Sequence, residues 1–211
     1  MTTLFPIQLQ CPVCNNIFDS NEIGSCGHAS KRADFRPNYW GANPVEFFYH
    51  LCTCGFCSIK SLFKLEINNK DFIEKIENLG PLRHYTLAQK IERAMICLEL
   101  LNEFGYVDLN NLDLANNWIN AFWWARNSDE INKFGKKVLD YFQDAYENNL
   151  IKKDEILTIR YLMGEINRRM GNIESANKFY DEVISQSKDI KDQEDIYKLA
   201  LRQKTDPKEN L

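Results

Sequence analysis

Six of the seven cysteines stand at Cys11, Cys14, Cys26, Cys52, Cys54 and Cys57, and only Cys97 lies beyond them. So short a stretch cannot bury enough area to hold itself, so its cysteine spacing decides what it can fold into. Cys11-Pro12-Val13-Cys14 is a C-x-x-C pair on a tight turn, and Cys52-Thr53-Cys54-Gly55-Phe56-Cys57 comes about forty residues later. Two such knuckles offer four thiolates to one tetrahedral ion, as in a zinc ribbon, where Zn2+ at about 2.3 Å from each sulfur closes the fold. The expected ligands are Cys11, Cys14, Cys54 and Cys57, because Cys54 and Cys57 have the standard spacing. Cys52 is the alternative to Cys57, through a tighter C-x-C pair with Cys54.

Surplus thiolates point to a structural zinc rather than a catalytic one, which keeps an open position and draws on His or carboxylate ligands. A thioredoxin-like redox pair would open a helix after a strand, whereas Asn15-Asn16-Ile17-Phe18 reads as a turn and then a strand. An odd cysteine count fits structural disulfides poorly. Cys26 and His28 are candidates for a replacement ligand or a second, partial site, but read more simply as a small apolar residue and a solvated loop side chain. Cys97 falls in the apolar register of a helix.

Composition divides the chain at the same place. Ten of the 26 aromatic residues lie in residues 1–66, with six between Phe35 and Tyr49. Those first residues balance five Lys/Arg against five Asp/Glu, so the net charge of −4 belongs to residues 67–211. Neither part is basic overall, so the footprint of phosphate-backbone binding is missing from the totals, which leaves room for a local patch. The longest apolar stretches, such as Ile119 to Ala125, are interrupted within a few residues, against about 18 uninterrupted positions for a membrane span. Met1-Thr2-Thr3-Leu4-Phe5-Pro6 has neither a basic leader nor an apolar run, so a cytoplasmic location is expected.

After a charged stretch from Asn68 to Asn78 and the break at Gly80-Pro81, apolar residues recur every three or four positions. Leu87, Ile91, Met95, Leu98 and Leu101 are one such series, then Leu114, Trp118, Phe122 and Ala125, then Ile131, Phe134, Val138, Phe142 and Ala145. Ile159, Met163, Ile166 and Met170 form the next, then Ile173, Ala176, Tyr180 and Val183, with a weaker series at Ile196, Leu199 and Ala200. Gly105, Asn127-Ser128-Asp129, Asn148-Asn149 and Gly171-Asn172 punctuate them, with Asp154 and Asn172 placed as N-caps. Residues 160–184 resemble a tetratricopeptide repeat: Gly164 and Ala176 stand where two helices approach closely, Gly171 makes the turn, and Tyr180 with Val183 seals the pair. The aromatic that pattern wants three positions after Gly164 is Asn167 here, so a stack of about three hairpins is expected rather than a regular array.

The expected fold is therefore α+β: a zinc-ribbon-like module over 1–66, a linker over 67–80, a tetratricopeptide-like helical domain over 81–204 and a frayed tail over 205–211. Taken in order, Cys11-Pro12-Val13-Cys14, Asp34-Phe35-Arg36-Pro37, Tyr39, Asn43-Pro44, Cys54-Gly55-Phe56 and Gly164-Glu165-Ile166-Asn167-Arg168-Arg169-Met170-Gly171 resemble the prokaryotic family called domain of unknown function 2225. That family pairs two cysteine knuckles with a Gly-Glu-x-x-Arg-Arg-x-Gly element. The resemblance covers nearly the whole chain and implies a zinc-ribbon module joined to helices, with no reaction attached. One departure matters: three positions before Cys54, where the family's second knuckle begins, this chain has Leu51, which moves the ligand to Cys52 or Cys57.

No Gly-rich phosphate loop, H-E-x-x-H or activated nucleophile is recognisable, and an enzyme is not expected. Asp34, Arg36, His50 and His84 are the polar residues worth watching, with a local turn or ion pair the simpler reading of Asp34 and Arg36. The expected role is an adaptor or scaffold that engages a macromolecule, foremost a protein, since helical stacks present extended surfaces. The alternative is a nucleic-acid- or ribosome-associated factor, which net charge does not support. Trp40 and Phe48 are expected either to be buried between the modules or to face a partner.

Overall fold

The computed structural model describes residues 3–41, 43–188 and 190–211. It is a mixed α+β chain: a strand region carrying the cysteine cluster precedes seven α-helices among the described residues. Met1 and Thr2, where the amino-terminal stretch read for a leader begins, lie outside the described residues.

Two compact units emerge, Met1–Gly27 with Tyr39–Leu109, and His28–Asn38 with Asn110–Leu211. This grouping differs from the expected divisions at 66, 80 and 204, for three physical reasons. Residues 67–80 are not a linker: Lys70–Leu79 form the first helix, α1, and bury Phe72 and Ile76 completely. Residues 28–38 leave the cysteine-rich part and pack with the carboxy-terminal helices. The tail is not frayed, because the Ala33 amide donates to the Glu209 carbonyl at 2.7 Å and the Leu211 amide to the Lys31 carbonyl at 3.0 Å.

In the first unit, Thr3–Gln10 (β1) and Ile17–Ser25 (β2) form an antiparallel ribbon whose last rungs are Leu9 opposite Phe18 and Gln10 opposite Ile17. The unit's helices are α1, capped by the Asn69 side chain on the amides of Asp71 and Phe72, and Leu87–Glu103 (α2), which opens on a capping box of Thr86 and Gln89. Their apolar faces bury Ile91, Met95, Leu98 and Leu101 from α2, and Phe72 from α1 stacks edge-on against Phe104 and Tyr106.

His28–Lys31 (β3) and Pro37–Tyr39 (β4) are short paired strands that flank the turn at Asp34. A last pair, His50–Leu51 (β5) with Cys57–Ser58 (β6), returns to the first unit and completes the strands among the described residues. The second unit's helices are Asn111–Trp124 (α3), Ser128–Glu147 (α4), Ile156–Arg169 (α5), Ile173–Ser187 (α6) and Glu194–Thr205 (α7). Only Ala125, Arg126 and Asn127 separate α3 from α4, and only Met170, Gly171 and Asn172 separate α5 from α6, so each pair folds back antiparallel. Asn127 caps α4 through the Glu130 amide, whereas Asn172 sits at the start of α6 without a side-chain cap, and Glu155 rather than Asp154 precedes α5.

The Gly164 position rests on a close approach. A Cβ built there would lie 2.6 Å from Cε1 of Tyr180, so the contact across the hairpin is with that ring rather than with Ala176. The ring cannot swing aside, because its hydroxyl donates to the Glu165 carboxylate at 2.6 Å and Glu165 is wholly buried. Gly164→Leu is expected to lower stability by about 1–3 kcal/mol through overpacking. A variant that melts with the parent would show that α5 and α6 can separate freely.

Candidate metal centre

Both cysteine knuckles are hairpin turns. The β1–β2 ribbon ends at Gln10, and the chain then turns with the Asn15 amide donating to the Cys11 carbonyl and the Cys11 amide to the Asn16 carbonyl, both at 2.9 Å. Asn15 takes the left-handed φ of 59° that this turn demands, a conformation asparagine tolerates. The second knuckle repeats the plan. Strands β5 and β6 pair with Leu51 opposite Cys57. Inside them the Gly55 amide donates to the Cys52 carbonyl at 3.0 Å and the Cys52 amide to the Phe56 carbonyl at 2.8 Å. Gly55 has φ of 101°, and a side chain there would run into the Gly80 carbonyl oxygen.

That register corrects the expected ligand set: the four sulfurs brought together are those of Cys11, Cys14, Cys52 and Cys54, all within 4.8 Å of one another. Cys57 is not among them. As a strand residue it falls after the turn has closed, and its fully buried side chain donates to the Lys90 carbonyl at 3.6 Å while its amide donates to Cys97 Sγ at 3.4 Å. Cys52 instead occupies the place in its turn that Cys11 occupies in the first.

Sulfur separations of 3.6 Å for Cys11 to Cys54 and 3.5 Å for Cys14 to Cys52 are close to the edge of a tetrahedron of thiolates about 2.3 Å from a central ion, roughly 3.8 Å. The donor set fits a four-thiolate metal site of the closed, structural kind. Backbone amides supply the polar surroundings such sulfurs need: those of Val13 and Cys14 face Cys11, that of Asn16 faces Cys14 and that of Phe56 faces Cys54. The hydrogen bond from Cys11 pulls the Cys54 thiol down to about 5, and the same bond drives Cys11 up. Burial, ahead of the other influences, raises Cys14 to about 11.

The knuckles are braced by residues that spacing alone does not reveal. Arg93 on α2 donates from Nη1 to the carbonyls of Gly55 at 3.2 Å and Gly80 at 2.7 Å, and from Nη2 to that of Leu79 at 3.1 Å. One guanidinium on α2 thus ties the second knuckle to the end of α1. Lys90 Nζ donates to the Glu46 carbonyl at 2.8 Å. Phe56 and Phe63 pack edge-on behind the site, and Phe63 also meets Phe18.

The other candidates fall elsewhere. Cys26, His28 and His84 are exposed, and Cys97 is buried on α2. His50 is buried, with Nδ1 2.8 Å from Ser20 Oγ, and burial together with the nearby Lys90 pushes it down to about 4, so it is a neutral core histidine. Trp40 and Phe48 are not buried: they are 65 % and 36 % exposed, and the Trp40 amide is pinned to the Gly27 carbonyl at 3.0 Å in a surface turn. In the second unit Asp34 is buried and paired with Arg169 at 2.8 Å, a link between two motifs 135 positions apart that no local pattern announces.

No described helix is long and apolar enough to cross a membrane. A family model described as an uncharacterised protein conserved in bacteria, DUF2225, matches residues 4–206. No curated protein and no solved structure matches the chain.

Proposed function

Because the chain belongs to the bacterial family DUF2225, whose description carries no activity, we propose its function from the site itself: a zinc-binding adaptor, without catalysis of its own, that engages a protein partner. Zinc is the ion best suited to four thiolates on two peptide knuckles, and its role is to hold the hairpins in register. The helices α3 to α6 serve as tetratricopeptide-like hairpins that present a surface, with the Gly164 approach to Tyr180 as their nearest likeness to that repeat.

The observation that carries the partner reading is the exposure of Trp40, with Phe48 exposed nearby in sequence. A tryptophan left two-thirds in water contributes little to stability, whereas tryptophan is among the side chains that dominate binding energy once a partner covers them. A chain of net charge −4 gives no general attraction for nucleic acid.

Capture from the native cell, with Trp40→Ala beside the parent, tests the reading. The variant is expected to melt with the parent and to lose at least tenfold of a discrete protein partner. Ribosomal or nucleic-acid material in place of a protein would favour the alternative binding factor, and unchanged capture would remove Trp40 from the interface.

A further inference from the structure

We propose that Arg32, Arg36 and Arg169 form an anion site in the second unit whose ligand is a phosphate group. Two guanidinium groups pair with one buried carboxylate, and that of Arg36 lies within its electrostatic reach. Asp34, 1 % exposed, holds Arg169 Nη1 at 2.8 Å through Oδ2 and stands 3.4 Å from Arg32 Nε through Oδ1. The Arg36 amide donates to that same Oδ1 at 3.3 Å, while its guanidinium lies over the Trp124 ring and donates to the Trp123 carbonyl at 3.1 Å. Among the described residues, the only other carboxylate paired with these three arginines is that of Glu209, 3.8 Å from Arg32 with its side chain 65 % exposed, where solvent screens it.

One buried negative charge therefore faces three positive ones. A clamp that served only to fasten residues 28–38 would need one arginine, and burying further unpaired charge costs more than an apolar contact would. The excess is felt in the arginines themselves. Burial and repulsion from Arg32 lower Arg36 below the ordinary guanidinium range, and Arg169 is lowered too, burial outweighing the pull of Asp34. Nε of Arg36 is buried with no hydrogen-bond acceptor among the described residues, and that of Arg32, buried as well, stands at ion-pair distance from Asp34 without a hydrogen bond.

The backbone gathers these groups at a cost. The Phe35 amide donates to the Arg32 carbonyl at 2.9 Å and the Arg32 amide to the Arg36 carbonyl at 2.8 Å, closing a turn in which Phe35 has φ of 64°. A bulky aromatic residue in the left-handed region is strained, and packing of its ring on Tyr161 holds it there. The side chains of Arg32 and Arg169 keep 12 % and 9 % of their surface in solvent, and Arg36 is likewise only partly buried, which leaves a narrow approach for a small ligand. Two positive charges remain after Asp34 is counted, and a phosphate monoester at neutral pH carries about −1.5 to −2 with three acceptor oxygens suited to guanidinium forks.

Calorimetric titration of the full chain with inorganic phosphate, pyrophosphate and glycerol 3-phosphate, at constant ionic strength in chloride, tests the site. Saturable binding of at least one probe is expected. Arg32→Gln, which removes the longest of these ion pairs, should weaken it tenfold or more without shifting the melting temperature. Arg36→Lys should retain more affinity than Arg36→Gln, since it keeps the charge and loses only the fork. Preference for the inorganic ions would identify a free phosphate as ligand, and preference for the ester a phosphorylated metabolite. No saturable binding of any probe overturns the proposal, as does binding unchanged in Arg32→Gln, and the latter variant decides alone should Arg36→Gln not fold.

Discussion

Stripping the metal from the full chain with a chelator is expected to unfold α1 and α2 along with the two knuckles. The reason lies in the grip of Arg93, which holds the Gly55 carbonyl of the second knuckle and the Leu79 and Gly80 carbonyls at the end of α1, all from one side chain on α2. Cys57 and Cys97 add a second tie between β6 and α2. Metal binding in small four-ligand sites supplies about 10–16 kcal/mol, comparable to the whole stability of a domain at about 5–15 kcal/mol, so the first unit has no reserve to lose it. The helical signal in far-ultraviolet circular dichroism should fall by the share of α1 and α2, ten and seventeen residues, while the second unit keeps its own transition. A signal unchanged by metal removal would mean that the helices stand without the knuckles.

Substitution separates the ligand sets under the same measurement. Cys52→Ser should behave as the chelated protein does, with no zinc by elemental analysis, whereas Cys57→Ser should keep its metal and lose only some packing against Cys97. Zinc retained in Cys52→Ser and lost in Cys57→Ser would restore the set that spacing suggests. Iron in place of zinc would show itself by a thiolate charge-transfer absorption.

The fourth ligand shows where reading the sequence reaches its limit. C-x-x-C spacing favours Cys54 with Cys57, and it succeeds for Cys11 with Cys14 because there both cysteines lie inside the turn. In the second knuckle the turn begins one residue later than the family pattern places it, at Cys52 rather than at Leu51, and Leu51 is already a strand residue paired with Cys57. Ligand choice is thus decided by hairpin register, which depends on how β5 and β6 pair and not on the count between cysteines.

Helices α2 to α7 are legible because each shows its apolar residues every three or four positions. Helix α1 carries the same spacing at Phe72, Ile73, Ile76 and Leu79, but the charged residues set among them, Asp71, Glu74, Lys75 and Glu77, give the segment the look of a charged linker. The grouping of 28–38 with the carboxy-terminal helices is hidden for another reason. It depends on pairings such as Phe35 with Tyr161 and Asp34 with Arg169, between residues whose separation along the chain leaves no periodic trace. The Arg-Arg pair of the Gly-Glu-x-x-Arg-Arg-x-Gly element divides its work. Arg168 turns to Glu165, Nη2 to Oε2 at 2.9 Å, and Arg169 turns to Asp34. Two elements that are fairly specific in the sequence thus meet in the second unit.

Asp34→Ala is expected to destabilise that second unit more than any other single change in it, by about 3–5 kcal/mol. The loss is larger than that of one ion pair, because Arg169 and Arg32 would remain partly buried beside Arg36 with only the exposed Glu209 carboxylate near Arg32. Desolvated positive charge without a partner is costlier than the pair it came from. The turn would suffer as well, since Oδ1 also accepts the Arg36 amide and the left-handed Phe35 next to it depends on that closure. The Asp34 carbonyl, which accepts Trp123 Nε1 at 3.0 Å, would survive the substitution and sets a floor to the damage. Thermal melting should show the second unit's transition lowered on the order of 10 °C or more. Asp34→Asn keeps the shape and an acceptor oxygen while removing the charge, so it should fall between the parent and the alanine variant. If both variants melt with the parent, water reaches the three arginines freely and the carboxylate is not what holds residues 28–38 in place.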